Sequence, residues 1–213
     1  MRNLSIFALV AAWLAPACAF QNVPIELPKV VTTGLRGGEG RRLAVAIPFA
    51  DERSDPRSCG IQMNTYGMET AKAICSEDPG TWIAGLLAQE LRSAGFTVLS
   101  DLEPRPPSAV RIRGTLIRFF VEPVIGVWEG RLESDLHVKL VLRSASGLHA
   151  ERSFYIKGIE KPILGTHGKF QDAVDQTVDH ALRDMVGAIL SLMNRFPELG
   201  EQRMRTPGRS KGA

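Results

Sequence analysis

Two hydrophobic rhythms alternate along this chain. Residues 43–49 (LAVAIPF) form a short unbroken apolar run, the pattern of a strand covered on both faces. About thirty irregular residues later, Trp82, Ile83, Leu86, Leu87, Leu91 and Ala94 recur at helical spacing opposite Gln89, Arg92 and Ser93. Thr81 is in place to cap that helix and Gly95 to end it, and a second short strand follows at 96–99. Strand, helix, strand in that order predicts a right-handed parallel crossover.

Downstream the period shortens to two. Residues 110–121 begin by alternating, with Val110, Ile112 and Leu116 against Arg111, Arg113 and Thr115, and the phase blurs beyond Gly114, as at a bulge. Residues 132–143 alternate cleanly: Leu132, Leu136, Val138, Leu140 and Leu142 face one way, and Glu133, Asp135, His137, Lys139 and Arg143 the other. Residues 148–156 repeat the pattern with Leu148, Ala150, Phe154 and Ile156. All these inward residues are even-numbered, so opposed positions must sum to an even number. A three-residue turn at Ala145, Ser146 and Gly147 meets that condition, pairing Val138 with Phe154, Leu136 with Ile156 and Asp135 with Lys157. A second helix spans 170–196 on the stripe Phe170, Val174, Val178, Ala181, Met185, Ile189 and Leu192, with Pro197 at its end. The expected fold is α/β (α+β) in the order β-α-β-β-β-β-α. It is a two-layer sandwich in which a mixed, mostly antiparallel five-stranded sheet carries both helices on one face.

The ends change the picture from fold to compartment. Arg2, the apolar run 4–14 and the small residues up to Ala17 have the form of a secretory signal peptide over 1–17. Its apolar run of about 11 residues is too short to span a bilayer core of ~30 Å. Cys18 then stands where a bacterial lipoprotein carries its lipidated cysteine, although Leu14 precedes it by four residues rather than three. The chain admits two outcomes: lipidation at Cys18, or ordinary cleavage after Ala17 or Ala19 to a soluble protein. Three cysteines are an odd number for an exported chain. Lipidation of Cys18 leaves Cys59 and Cys75 to pair as a disulfide in an oxidising compartment. Residues 18–42, broken by Pro24, Pro28 and several glycines, read as a flexible tether, and 43–196 as a single domain. Residues 197–213, with Arg203, Arg205, Arg209 and Lys211, read as a disordered basic tail.

Composition excludes more than it assigns. A net charge of +3 with 23% charged residues implies no nucleic-acid partner. The predicted hairpin register sets His137 and His149 roughly 20 Å apart, too far to share an ion. No HExxH, CxxC, GxSxG or SxxK spacing occurs. The glycines at 34–40 precede a strand rather than open a helix, and the stretch before Phe170 lacks both the first glycine and the hydroxyl of a phosphate loop. No catalytic residue, metal or cofactor is expected. Trp128, near the turn between the middle strands, is read first as a core residue and second as an exposed aromatic anchor.

Taken together, the cysteine at 18, the prolines after it, LAVAIPFADERSD and GTWIAGLLAQELRSAGF resemble small envelope lipoproteins of Gram-negative bacteria, closest to the uncharacterised YajG-like group. The stretch 60–68, with Gly60, Asn64, Tyr66 and Met68, resembles a recurrent glycine-asparagine-tyrosine segment of such proteins. More distantly the architecture is similar to curli-secretion and penicillin-binding-protein-activating lipoproteins, and to auxiliary lipoproteins of lipid transporters. The resemblance covers roughly residues 18–195. It implies a non-catalytic, lipid-anchored accessory or scaffold protein on the periplasmic side of a bacterial membrane, preferentially the outer one, with an envelope protein as partner. Asn64, Tyr66 and Met68 are the expected partner-binding residues. The competing expectation is a soluble periplasmic enzyme or small-ligand-binding protein that uses the loop 51–80.

Overall fold

The structure is a computed structural model that describes residues 21–26, 28, 31–64, 66–100, 108–125, 130–160, 167–197 and 199. Residues 1–20 with Cys18, Trp128, and residues 200–213 lie outside the described residues; within the segment expected to be a disordered tail, Leu199 is instead buried in the core and its amide donates to the Phe196 carbonyl. Among the described residues the order is β1 (Val23–Ile25), β2 (Arg42–Val45), β3 (Ala50–Asp51), β4 (Ser58–Met63), β5 (Glu69–Cys75), α1 (Pro79–Ser93), β6 (Thr97–Ser100), β7 (Val110–Ile125), β8 (Gly130–Arg143), β9 (His149–Glu160) and α2 (His167–Arg195). The class is α+β, a large mixed open sheet with two helices. Its sheet has nine described strands rather than five.

The additional strands come from the segment expected as loop and from the segment expected as tether. Inside 51–78 the chain makes β3 and then the antiparallel hairpin β4–β5, with Ile61 opposite Lys72 and Gln62 opposite Ala71. This hairpin is weak in sequence because its inward residues are small, Ala71 and Ala73 among them. Residues 23–25 add β1, parallel to β5.

Residues 31–41 are not a free tether. Val31 and Thr33 are buried, and the Thr33 amide donates to the carboxylate of Glu90, itself only 2% exposed on α1, at 2.8 Å. The amides of Gly37 and Gly38 donate to the Ala94 carbonyl. Arg41, 6% exposed, donates to the Gly37 and Gly38 carbonyls and to Asn194 on α2. Trp82 donates its indole N–H to the Pro28 carbonyl at 2.7 Å. The segment is a strap held by backbone groups and a few buried polar side chains. Such bonding has no hydrophobic period, so the pattern did not reveal it.

β7 organises the sheet. One of its edges pairs with β8 from Arg111↔Arg143 to Ile125↔Gly130. Its other edge takes three parallel partners in succession: β2 at Leu43↔Val110, β3 at Ala50↔Thr115 and β4 at Gly60↔Val121. The register shifts between Leu116 and Arg118, later than the break expected after Gly114. This bulge exchanges the inward set from Val110, Ile112 and Leu116 to Phe119 and Val121, all buried. β2 also pairs in parallel with β6, so the expected crossover through α1 is present and β2 is central. The β8–β9 hairpin has the predicted register, with Val138↔Phe154, Leu136↔Ile156 and Asp135↔Lys157. Gly147 takes the positive φ of 98° that its turn requires.

Both helices cover the inner face and touch each other, α1 over β3, β6 and β7 and α2 over β8 and β9. The helix cap is Asp78 rather than Thr81: its carboxylate accepts from the Thr81 amide at 2.7 Å, and Pro79 occupies the first turn. The predicted stripes are buried, from Ile83, Leu87 and Leu91 on α1 to Val174, Val178, Met185 and Ile189 on α2.

Gly60 sets how closely β4 can approach β7, because a Cβ there would lie 2.1 Å from the Val121 carbonyl oxygen. Gly60→Ala is expected to destabilise the domain by about 1–3 kcal/mol, as overpacking does. Urea unfolding of the variant against wild type measures it.

Candidate functional site

Two surfaces combine chemistry-bearing residues: the β4–β5 hairpin with its neighbouring cleft, and the outer face of β7–β9. On the hairpin, Cys59 and Cys75 form a disulfide with Cα atoms 5.5 Å apart. The bond ties the start of β4 to the end of β5, just before α1. At the far end, Asn64 closes the turn: its side-chain oxygen accepts from the amides of Tyr66 (2.9 Å) and Met68 (3.0 Å). Its own amide donates to the Met68 carbonyl at 2.9 Å. This Asx-type bonding holds the turn in place. It leaves Tyr66 86% exposed and Met68 58% exposed. The three residues expected to bind therefore come together at one tip, with Asn64 as the positioning residue and Tyr66 and Met68 as the presented surface.

Behind the hairpin lies an open cleft of about 300 Å³, lined in part by Arg53, Asp55, Lys72, Ile117 and Phe120. The bulge in β7 supplies Ile117 to its wall. Of its charged groups, Arg53, Asp55, Lys72 and Arg118 are paired, while Glu69 is exposed. Arg53 grips Asp51 through two nitrogens at 3.0 and 2.8 Å, and also donates to the Ser58 and Pro56 carbonyls. Lys72 pairs with Asp55 at 3.0 Å, which holds that exposed carboxyl below the usual range and the ammonium above its own. Arg53 thus organises residues 51–58 into a fixed turn.

The outer face of β7–β9 was expected to be a simple wet face. It carries instead two nearly buried carboxylates, Glu133 (7% exposed) and Asp135 (6% exposed). Glu133 accepts from Arg131 at 2.7 Å on one oxygen and from Lys157 at 2.5 Å on the other. Asp135 accepts from Arg118 at 3.1 Å and from the Tyr155 hydroxyl at 3.1 Å. Arg118 also lies over the Phe120 ring at 5.3 Å and pairs with Glu122. The Lys157 and Arg131 hydrogen bonds hold the Glu133 carboxyl below the usual carboxylate range. Burial and the bond to Asp135 push the Tyr155 phenol up, which keeps it a donor. A general acid at neutral pH needs a raised carboxyl; Glu133 is moved the other way. Every oxygen of both carboxylates is engaged, so the network stitches three strands together.

His137 bonds Ser153 at 2.7 Å and packs edge-on to Tyr155, while His149 sits opposite Arg143 at the other end of the ladder. Among the described residues, no three metal-ligating side chains converge. No described helix is long and apolar enough to cross a membrane.

Fold and surfaces together describe an α+β domain that presents a disulfide-braced hairpin, and the comparisons agree with it at the level of family. Residues 39–190 match the family described as uncharacterised lipoprotein, and the chain belongs to that family. Among solved structures it is similar to protein XCC0632 from Xanthomonas campestris, a DUF330 protein, at 12% identity and a TM-score of 0.59. That match covers 84% of this chain and 99% of the other, and establishes a shared fold. A minor lipoprotein from Acinetobacter baumannii aligns at 9% identity and a TM-score of 0.41, over 73% of this chain and 95% of the other. Among curated proteins none matches the sequence.

Two outcomes test these surfaces. Cys75→Ser is expected to lower stability by about 3 kcal/mol, the chain-entropy value for a loop of this length, and thiol counting on the unreduced wild-type domain should find Cys59 and Cys75 unreactive. For Glu133 the lowered folded pKa means that its contribution is complete above the ordinary carboxylate value of about 4.3 and is lost as pH falls through the lower folded value. Wild-type melting temperature should therefore fall as pH drops below about 4.3. Glu133→Gln should melt lower at neutral pH and show a shallower acid slope.

Proposed function

We propose that this is a non-catalytic, lipid-anchored protein of the bacterial envelope, held to the membrane through Cys18 and acting as an accessory or scaffold component. The observation that carries this reading is membership of a lipoprotein family over residues 39–190. The pattern of the N-terminus supports it: an apolar leader, small residues, and a cysteine at the expected processing site. We place the protein on the periplasmic side, at the outer membrane in the first instance, where Cys59 and Cys75 can remain oxidised.

The non-catalytic role draws on the geometry of both surfaces. Glu133 and Asp135 on the outer face and Arg53, Asp55 and Lys72 in the cleft are engaged in internal pairs. The exposed tip at Tyr66 and Met68 is the proposed contact surface. A soluble ligand-binding role has one observation in its favour, the open cleft beside Arg53 and Lys72. Pockets that bury small ligands are predominantly apolar, with a few free polar groups; this one is open to solvent, and Arg53, Asp55 and Lys72 in its lining are paired with one another or with neighbouring groups.

Membrane fractionation of cells expressing wild type and Cys18→Ala tests the anchor. Wild type should sediment with the envelope and stay there through a salt wash, while Cys18→Ala should move to the soluble periplasmic fraction. Identical soluble distributions for the two would overturn the lipoprotein reading.

A further inference from the structure

We infer that the β4–β5 tip faces the bilayer that holds the lipid anchor, so that Tyr66 and Met68 sit at the membrane–water interface and fix the orientation of the domain. The inference rests on the assignment of Cys18 as the anchor and identifies what the exposed tip touches.

Strand direction carries it. β1 runs parallel to β5, with Val23 opposite Ala73 and Ile25 opposite Cys75. The chain therefore enters the sheet from the end at which β5 begins, and β5 begins at the tip, with Glu69. One residue before β1, the Asn22 side-chain oxygen accepts from the Lys72 amide at 3.1 Å, which pins this entry. Cys18 lies four residues before Asn22, and four residues of chain reach at most about 14 Å. From Lys72 back to Met68 is also four residues, or about 13 Å of strand. A lipid on Cys18 places that cysteine at the membrane surface, so Asn22 lies within one hairpin-tip length of the bilayer.

The end of the sheet nearest that surface is chemically suited to it. Tyr66 joins an apolar ring to a polar hydroxyl, the combination enriched at membrane interfaces. Met68 is flexible and apolar. Ile125, 42% exposed, lies toward the same end, because β7 runs parallel to β4 at the pair Gly60↔Val121 and continues four residues beyond it in the direction of the tip. Of the described cations at this end, Lys72 pairs with Asp55 and Arg131 with Glu133, and with the exposed Glu69 beside them they form no basic patch. Contact is therefore apolar and interfacial, not electrostatic, and should be insensitive to salt. The tip is held in advance by Asn64 and, at the base of the hairpin, by the disulfide, so little ordering is needed on contact.

The test uses the full-length lipidated protein carrying Met68→Cys, labelled with an environment-sensitive dye. Lipidation and the disulfide occupy the native thiols. A matched Ser146→Cys protein is labelled in the β8–β9 turn at the opposite end of the sheet, beyond Arg143↔His149. Both are reconstituted into phosphatidylethanolamine–phosphatidylglycerol vesicles. The label at position 68 should shift to the blue and show several-fold lower quenching by aqueous iodide than the label at 146, at low and high salt alike. Equal quenching at the two positions in vesicle-bound protein would overturn the inference and leave the anchor standing. Shielding at position 68 in native envelopes but not in pure lipid would overturn it in favour of a protein partner. Protein that stays off the vesicles would overturn the anchor and the orientation together. Tyr66→Cys, at a still more exposed position of the same turn, repeats the measurement should the first label perturb the turn.

Discussion

A strand of sixteen residues must satisfy its backbone groups along two edges, and β7 does so in two different ways. On one side β8 matches it in a single antiparallel run. On the other, three short strands from one stretch of chain, 42–63, are laid beside it in sequence, each parallel. Between them the chain makes short excursions, and amides such as Ala46 and Glu52 still reach β7 carbonyls at 2.9 Å. The position of nearly everything else follows from this. β6 and α1 attach through β2, the hairpin and β1 attach through β4, and α2 lies over the strands on the antiparallel side.

That arrangement also determines which parts were legible in the sequence. The β8–β9 register was readable because long side chains alternate without interruption through Leu136, Val138, Leu140 and Leu142, and a one-residue slip would expose all of them. Both helices were readable for the same reason at period 3.6. The hairpin β4–β5 was not, because its buried positions are Ala71, Ala73, Gly60 and Cys59, which contribute little to any hydrophobic pattern. The strap over the helices was hidden differently. Its attachment depends on backbone amides meeting Ala94 and Glu90, and backbone groups are identical in every sequence. Of the candidate site, Asn64, Tyr66 and Met68 were marked only by the resemblance of residues 60–68 to a recurrent segment; the outer-face network was not legible, since period-two polarity looks the same whether carboxylates are solvated or buried in pairs.

The buried pairs on the outer face merit a physical comparison with the core. Ion pairs at a low-exposure site recover little net stability over apolar packing, because desolvation offsets much of the attraction. What Glu133 and Asp135 add is directionality. Glu133 receives a donor from its own strand and one from β9, and Asp135 one from β7 and one from β9. A slip of either neighbour by one residue would strand a nearly buried carboxylate without partners. The face thereby penalises wrong registers on the side of the sheet that no helix covers.

The two ends of the domain differ in consequence of one pairing choice. Had β1 joined β5 antiparallel, the chain would enter at the α1 end, and the tip would point away from whatever holds the N-terminus. Parallel pairing brings entry point and tip to the same end, and the Asn22–Lys72 bond keeps them there. The strap that follows, from Val31 to Arg41, then carries the chain over α1 and α2, bound through Glu90, Ala94 and Asn194. A pull on the chain at Gln21 is therefore borne first by β1 on the hairpin and next by the strap on the helices. On the proposed anchoring at Cys18, the face presented to a membrane follows from the direction of β1 in the sheet.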